Sequence, residues 1–146
     1  MPSMFTFVHH PIDDKLIHHV VQNCQNNSLC GGISLFIGQI RADVKNNKFV
    51  QAIYYTAYKE MAEKQAYLII SEISQKYELL TVKIIHSLGI VKVSEQCMIV
   101  CTASKHRKNA FEACYETVER IKNELPIWGK ELFDIEGKDF AWKINT

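Results

Sequence analysis

The sequence lacks most of the features that announce a special environment. No apolar run approaches the ~20 residues that a membrane-spanning helix requires. Residues 1–14 have neither a basic n-region nor a long apolar h-region, so a secretory signal is not expected. Lysine plus arginine (17) almost balances aspartate plus glutamate (16), leaving a net charge of +1. A chain so near neutrality offers no broad basic field to nucleic acid or to an anionic membrane. There is no internal repeat, low-complexity tract or linker. What remains is an expected single domain over residues 1–146, long enough for a workable core, soluble and cytoplasmic.

Cysteine is present but poorly arranged for bonding. The five are Cys24, Cys30, Cys97, Cys101 and Cys114. An odd number without C-x-x-C spacing speaks against a disulfide framework and against a zinc knuckle. Cys97 and Cys101 stand four apart in an expected strand, which would place both on one face as paired core thiols. The doublets His9-His10 and His18-His19 diverge on a strand or helix, and no acidic or cysteine partner has convincing spacing. No metal site is expected.

Periodicity sets out the elements. Residues 5–9 read as a short strand. Pro11 opens a helix with Ile12, Leu16, Ile17, Val20 and Val21 on one stripe and Asp13 and Asp14 in its first turn. Residues 33–40 are apolar enough for a buried strand, and the polar stretch 41–48 reads as a mobile loop. A strand follows over 49–57, then a helix over 59–77. Residues 81–88 and 96–103 are strands separated by a turn near Gly89. A third helix begins after Ser104, a good N-cap. Its stripe is Ala110, Phe111, Cys114, Val118, Ile121 and Leu125, and Pro126 stops it. Residues 131–144 form a terminal hairpin turning at Glu136-Gly137-Lys138. Several adjacent strands lack an intervening helix, which favours an α+β fold over a doubly wound sheet.

Chemistry concentrates in residues 104–131. His106 and Arg107 sit where a helix offers free N–H groups, and together these suit a phosphate or carboxylate. A solvated surface pair is the bland alternative. Arg41, at the mouth of a strand, reads either as an anion clamp or as a surface arginine. Lys122 complements the C-terminal dipole of the helix, and Lys130 reads as a loop lysine. Either becomes chemically useful if burial or a neighbouring cation lowers its pKa. From His106 to Lys122 a helix rises about 24 Å at ~1.5 Å per residue. One small ligand cannot touch both ends. Either two sites exist, or a second copy brings its His106 and Arg107 to the Lys122 end, and a dimer with a shared site is expected.

The order and spacing of several short motifs resemble one family. They are Gly31-Gly32, Phe36-Ile37-Gly38-Gln39-Ile40-Arg41, Tyr58-Lys59-Glu60-Met61-Ala62, His86-Ser87-Leu88-Gly89, Ser104-Lys105-His106-Arg107, Phe111-Glu112-Ala113, and Lys122 leading to Pro126-Ile127-Trp128. From about residue 30 to 131 the chain resembles the large, catalytic subunit of molybdopterin synthase.

That resemblance implies an α+β domain with a hammerhead-like β region and three main helices. It also implies a homodimer at the centre of a heterotetramer, without metal or organic cofactor. The partner would be a small ubiquitin-like sulfur carrier whose C-terminal Gly-Gly bears a thiocarboxylate. The implied reaction moves sulfur from two such carriers to cyclic pyranopterin monophosphate, forming the dithiolene of molybdopterin. By position, Lys122 matches a catalytic lysine. Arg41, His106 and Arg107 match substrate-binding residues, and Phe36 lines the pocket where carrier tail and pterin meet.

The chain departs from that pattern at Gly129. The family reads Pro-Ile-Trp-Lys-Lys-Glu there, with a second essential lysine directly after the tryptophan. The nearest lysine here is Lys130, the candidate displaced second catalytic lysine. Thr56, Ser87 and Ser94 also replace a common glutamate, arginine and glycine. In the C-terminal segment Lys143 is the candidate for a cation that the family draws from the partner chain. The alternative reading is a divergent paralogue that binds carrier or pterin without efficient turnover.

Overall fold

A computed structural model of the chain describes residues 4–134 and 136–144. Residue 135 of the expected terminal hairpin, and the ends of the expected 1–146 domain, lie outside the described residues. Ten strands and three helices are described, in the order β1 (Phe5–Val8), α1 (Asp14–Gln25), β2 (Gly32–Gln39), β3 (Val44–Lys45), β4 (Lys48–Phe49), β5 (Ala52–Ala57), α2 (Lys59–Tyr77), β6 (Thr81–Ser87), β7 (Gly89–Lys92), β8 (Gln96–Ser104), α3 (Arg107–Glu124), β9 (Ile127–Leu132) and β10 (Phe140–Trp142). The class is α+β.

One sheet has the order β1-β6-β8-β2, with only the β1–β6 pair parallel. Its strands alternate between two apolar layers, as a period of two requires. Val82, Ile84, Met98 and Val100 pack with Ile69, Ile70 and Ile73 of α2 and with Ala113, Val118 and Ile121 of α3. Ile85, Ile99, Cys101 and Ala103 face Val20 and Cys24 of α1. Arg120 joins the two helices on the first face by pairing with Glu72 of α2 at 2.7 Å.

The second sheet has the order β10-β9-β5-β7 and is antiparallel throughout. β7 begins at Gly89, near which a turn is expected from sequence, and runs to Lys92. Val91 is fully buried, so four residues suffice to make an edge strand. The expected mobile loop 41–48 contains the β3–β4 hairpin, turned by Asn46 (φ 52°) and Asn47 (φ 63°). Asparagine tolerates this left-handed pair, which matches hairpin twist.

Other boundaries move for local reasons. Helix α1 begins after Asp13, whose side chain caps the Leu16 N–H at 2.9 Å, because Ile12 is held by a bridge to Gln96. Ser104 ends β8 rather than capping α3; its hydroxyl donates to the His106 carbonyl at 2.5 Å. Phe111 is 63% exposed and lies off the buried stripe. Cys97 and Cys101 face opposite layers, because the register slips between Gly38 and Gln39 and adds one residue to β8 at Cys97. A bulge of this kind reverses the alternation beyond it. Cys101 instead meets Cys24, with the two sulfurs 3.0 Å apart.

Gly31 and Gly32 bring the start of α3 against β2. A Cβ on Gly31 would sit 2.2 Å from the Lys105 carbonyl oxygen, and one on Gly32 would sit 3.0 Å from Arg107 Cα. Only glycine permits this approach, which fixes where His106 and Arg107 emerge. Gly31→Ala is therefore expected to destabilise the fold by about 2 kcal/mol or more, the cost of overpacking against rigid backbone. Urea unfolding measures this, and amide shifts at residues 104–108 should report the displacement.

Candidate active site

Residues of both sheets and the end of α3 line a cavity of about 320 Å³, at the small end of the range for ligand pockets. Phe36 reaches it from β2, and Arg41 from just beyond that strand. Lys122 comes from the last turn of α3, next to Ile121, which closes the helix's buried stripe. Lys143 enters just after β10.

Strand β9 explains which of its residues take part. It pairs Glu131 with Ile53, Lys130 with Tyr54 and Gly129 with Tyr55. Paired residues share a face, and neighbours along a strand do not. Ile53, Tyr55, Gly129 and Glu131 accordingly line the cavity. Tyr54 and Lys130 point to the other side. The Lys130 ammonium lies 4.3 Å from the Phe140 ring centre and 5.9 Å from those of Tyr54 and Trp142. Lys130 is thus placed in an aromatic cage on the outer face of the sheet, in a strand rather than the loop expected from sequence.

His106 and Arg107 are also outside the cavity. Both are exposed at the start of α3, about 24 Å of helix rise from Lys122. One chain therefore gathers Phe36, Arg41 and Lys122, and leaves His106, Arg107 and Lys130 elsewhere.

Burial governs the protonation of the lining groups. Glu131 is 3% exposed and forms an ion pair with Lys45, which ties the β3–β4 hairpin to the cavity wall. Arg41 pairs with Asp43 at 3.2 Å while staying open to solvent. Burial lowers the pKa of Lys143, and the positive charge of Lys122 lowers it further. Burial also drives His86 down to about 4, despite its Nδ1–H donating to the Ser87 carbonyl at 2.7 Å. Tyr55 donates to the Cys97 sulfur at 3.6 Å, and burial pushes both the phenol and the thiol upward. His86, Tyr55 and Glu131 were not singled out as site residues from sequence. The pairing of β9 with β5 turns Tyr55 and Glu131 inward, and the pairing of β6 with β8 places His86. Among the described residues no group of three or more His, Cys, Asp or Glu is placed to hold a metal ion, and no helix is long and apolar enough to cross a membrane.

The profile of the MoaE protein family matches residues 7–124. The chain belongs to the MoaE family. It is 35% identical over 132 residues to the human molybdopterin synthase catalytic subunit, covering 90% of this chain and 68% of that protein. Identity to the catalytic subunit from Thermoplasma volcanium is 38% over 112 residues, covering 77% of this chain and 80% of that one. Among solved structures, molybdopterin synthase from Staphylococcus aureus superposes with a TM-score of 0.84 at 28% identity, covering 99% of this chain and 100% of that one. A chain from the Helicobacter pylori complex of subunits 1 and 2 of molybdopterin-converting factor shares the fold, with a TM-score of 0.78 at 19% identity, over 95% of this chain and 89% of that one. The family profile runs from within β1 to the end of α3 and so includes Phe36, Arg41 and Lys122. Gly129 and Lys143 lie beyond the residues that the profile matches.

A buried neutral histidine makes stability depend on pH. Between about 4 and 6.5 the unfolded chain takes up a proton on His86 that the folded chain refuses. The stabilisation is present above pH 6.5 and is lost as pH falls through this window, by about 3 kcal/mol in all. Denaturant midpoints measured from pH 7.5 to 4 should fall accordingly, and His86→Gln should remove that part of the slope.

Proposed function

We propose that this chain, acting as a single domain in the cytoplasm, transfers sulfur to cyclic pyranopterin monophosphate from the thiocarboxylated Gly-Gly tail of a small ubiquitin-like carrier. The product is the molybdopterin dithiolene, one step of molybdenum cofactor biosynthesis. The observation that carries this reading is the cavity itself. Lys122 and Arg41, from elements distant in sequence, meet there beside Phe36 in a space of about 320 Å³. A cation-rich, partly apolar cavity of that size suits an anionic pterin and the end of an extended tail. In this role Lys122 helps to expel the carrier carboxylate or protonates the oxygen that leaves the pterin.

His106 and Arg107 complete the phosphate site in a homodimer, when a second copy presents its own α3 N-terminus to the Lys122 end of the first. With two carriers the assembly is a heterotetramer. Lys130, caged by aromatic rings on the outer sheet face, belongs to that surface rather than to the chemistry. No metal or organic cofactor enters the step.

Gly129 favours one competing reading, a paralogue that binds carrier or pterin but does not turn over. Reconstitution with thiocarboxylated carrier and cyclic pyranopterin separates the two. Steady turnover by the parent supports the enzyme. An inert parent that binds carrier and gains large activity on Gly129→Lys supports the paralogue.

Lys122→Ala is expected to lower product formation on the order of 10²-fold or more, the usual scale for losing a proton-transfer group, while carrier binding stays measurable. Unchanged turnover would remove Lys122 from the mechanism. A His106→Ala/Arg107→Ala double variant should be equally poor. Mixing it with Lys122→Ala should restore activity, because a mixed dimer regains one intact site. Failure to complement, with mixed dimers demonstrated, would refute the shared site.

A further inference from the structure

We propose that Lys143, which enters beside Gly129, is the second working amine of the Lys122 cavity. The inference rests on the sulfur-transfer reading above. It begins with the backbone: the Lys143 N–H donates to the Gly129 carbonyl at 2.8 Å, extending the β9–β10 ladder one step past Trp142 and Lys130. Lys143 therefore stands opposite Gly129 and shares its face, as the pairing of adjacent strands demands. That face is the cavity wall, and Lys143 is among its lining residues.

Gly129 has no need of a left-handed backbone; it is not among the glycines of positive φ. Its role is space. A Cβ there would lie 3.0 Å from Ile53 Cγ2, 3.2 Å from Tyr55 Cε1 and 3.6 Å from Lys143 Cδ. Ile53 and Tyr55 are the tight neighbours that leave little room for a side chain at 129, and the Lys143 stem passes alongside at ordinary contact distance.

The surroundings suit proton transfer. The charges acting on Lys143 are Lys122 and Arg41, which disfavour its ammonium, and Glu131 and Asp43, which favour it. Burial, which disfavours the charged form, is the largest influence and lowers its pKa, with Lys122 next. Lys143 therefore holds more neutral amine at a given pH than an exposed lysine. Two amines in one small cavity allow one to carry a proton while the other accepts one, which is how coupled pairs divide acid and base roles.

Lys143→Ala should lower single-turnover sulfur transfer on the order of 10²-fold with carrier affinity little changed. Lys143→Arg, whose guanidinium does not deprotonate, should recover almost none of that loss. Alanine turnover near the parent's, or full rescue by arginine, would overturn the proposal. A second readout needs no turnover. In 13C-methylated protein Lys143 should titrate below the ordinary lysine value, and its midpoint should rise in Lys122→Gln. A Lys143 that titrates at the ordinary value and ignores Lys122 would also overturn it. Should the parent prove inert, the sulfur-transfer reading falls by itself, and the titration still decides whether Lys143 and Lys122 share the cavity.

Discussion

The pairing of β9 between β5 and β10 is the constraint on which the site depends. One residue of slip would exchange every inward group for an outward one. Glu131 would leave the cavity wall, and Lys130 would enter it. The register is held from several sides. Leu132, 3% exposed, pairs with Ala52 and with Phe140. The Lys45–Glu131 ion pair adds a long-range tie, which a slip would break by turning Glu131 to the other face. Specificity here comes from what the alternative would bury.

The same geometry sets the charge of the cavity. Arg41, Lys122 and Lys143 face it, against Glu131 and Asp43. Both carboxylates are already paired, Glu131 with Lys45 and Asp43 with Arg41. Lys122 lies close enough for its charge to lower the Lys143 pKa. Fields between such groups are stronger in a partly dry cavity than in water, so an incoming anion relieves like-charge repulsion as well as forming contacts. Neutral His86 adds no positive charge to this balance above pH 6.5, and its edge-on packing against Tyr55 at 5.0 Å supports the wall instead.

Much of this was legible in the sequence where periodicity is long. Helix α2 runs over the expected residues 59–77, because its buried alanines and isoleucines repeat at helical spacing. Strand β2 and the body of α3 were readable for like reasons. Short elements were not. The β3–β4 hairpin has two residues per strand, too few for alternation to show, and β7 hides behind a glycine of positive φ. The reversal at Cys97 was invisible because a bulge is a fact of pairing between two strands, not of either alone. Phe36, Arg41 and Lys122 could be named through motif order. Lys143 gave no more than a guess, since its place depends on the opposing glycine.

Helix α3 acts as a rigid ruler between two charged ends, and rigidity argues for partition of the chemistry between chains. Its stripe of Ala110, Ala113, Cys114, Thr117, Val118 and Ile121 is buried along nearly the whole length, and Thr117 is tied to the Ala113 carbonyl at 2.6 Å. Arg120 bonds Glu124 and Glu72 at once, clamping the last turns to α2. At the other end Gly31 and Gly32 lock the helix start to β2. No hinge separates His106 from Lys122, so bending cannot shorten the gap of about 24 Å. A ligand held by both ends must therefore be held by two molecules. The exposed apolar residues Tyr54, Tyr58, Trp128, Phe140 and Trp142 on and around the second sheet's outer face offer surface for such protein contacts. On the proposed shared site, association would join what the rigid fold of one chain keeps apart.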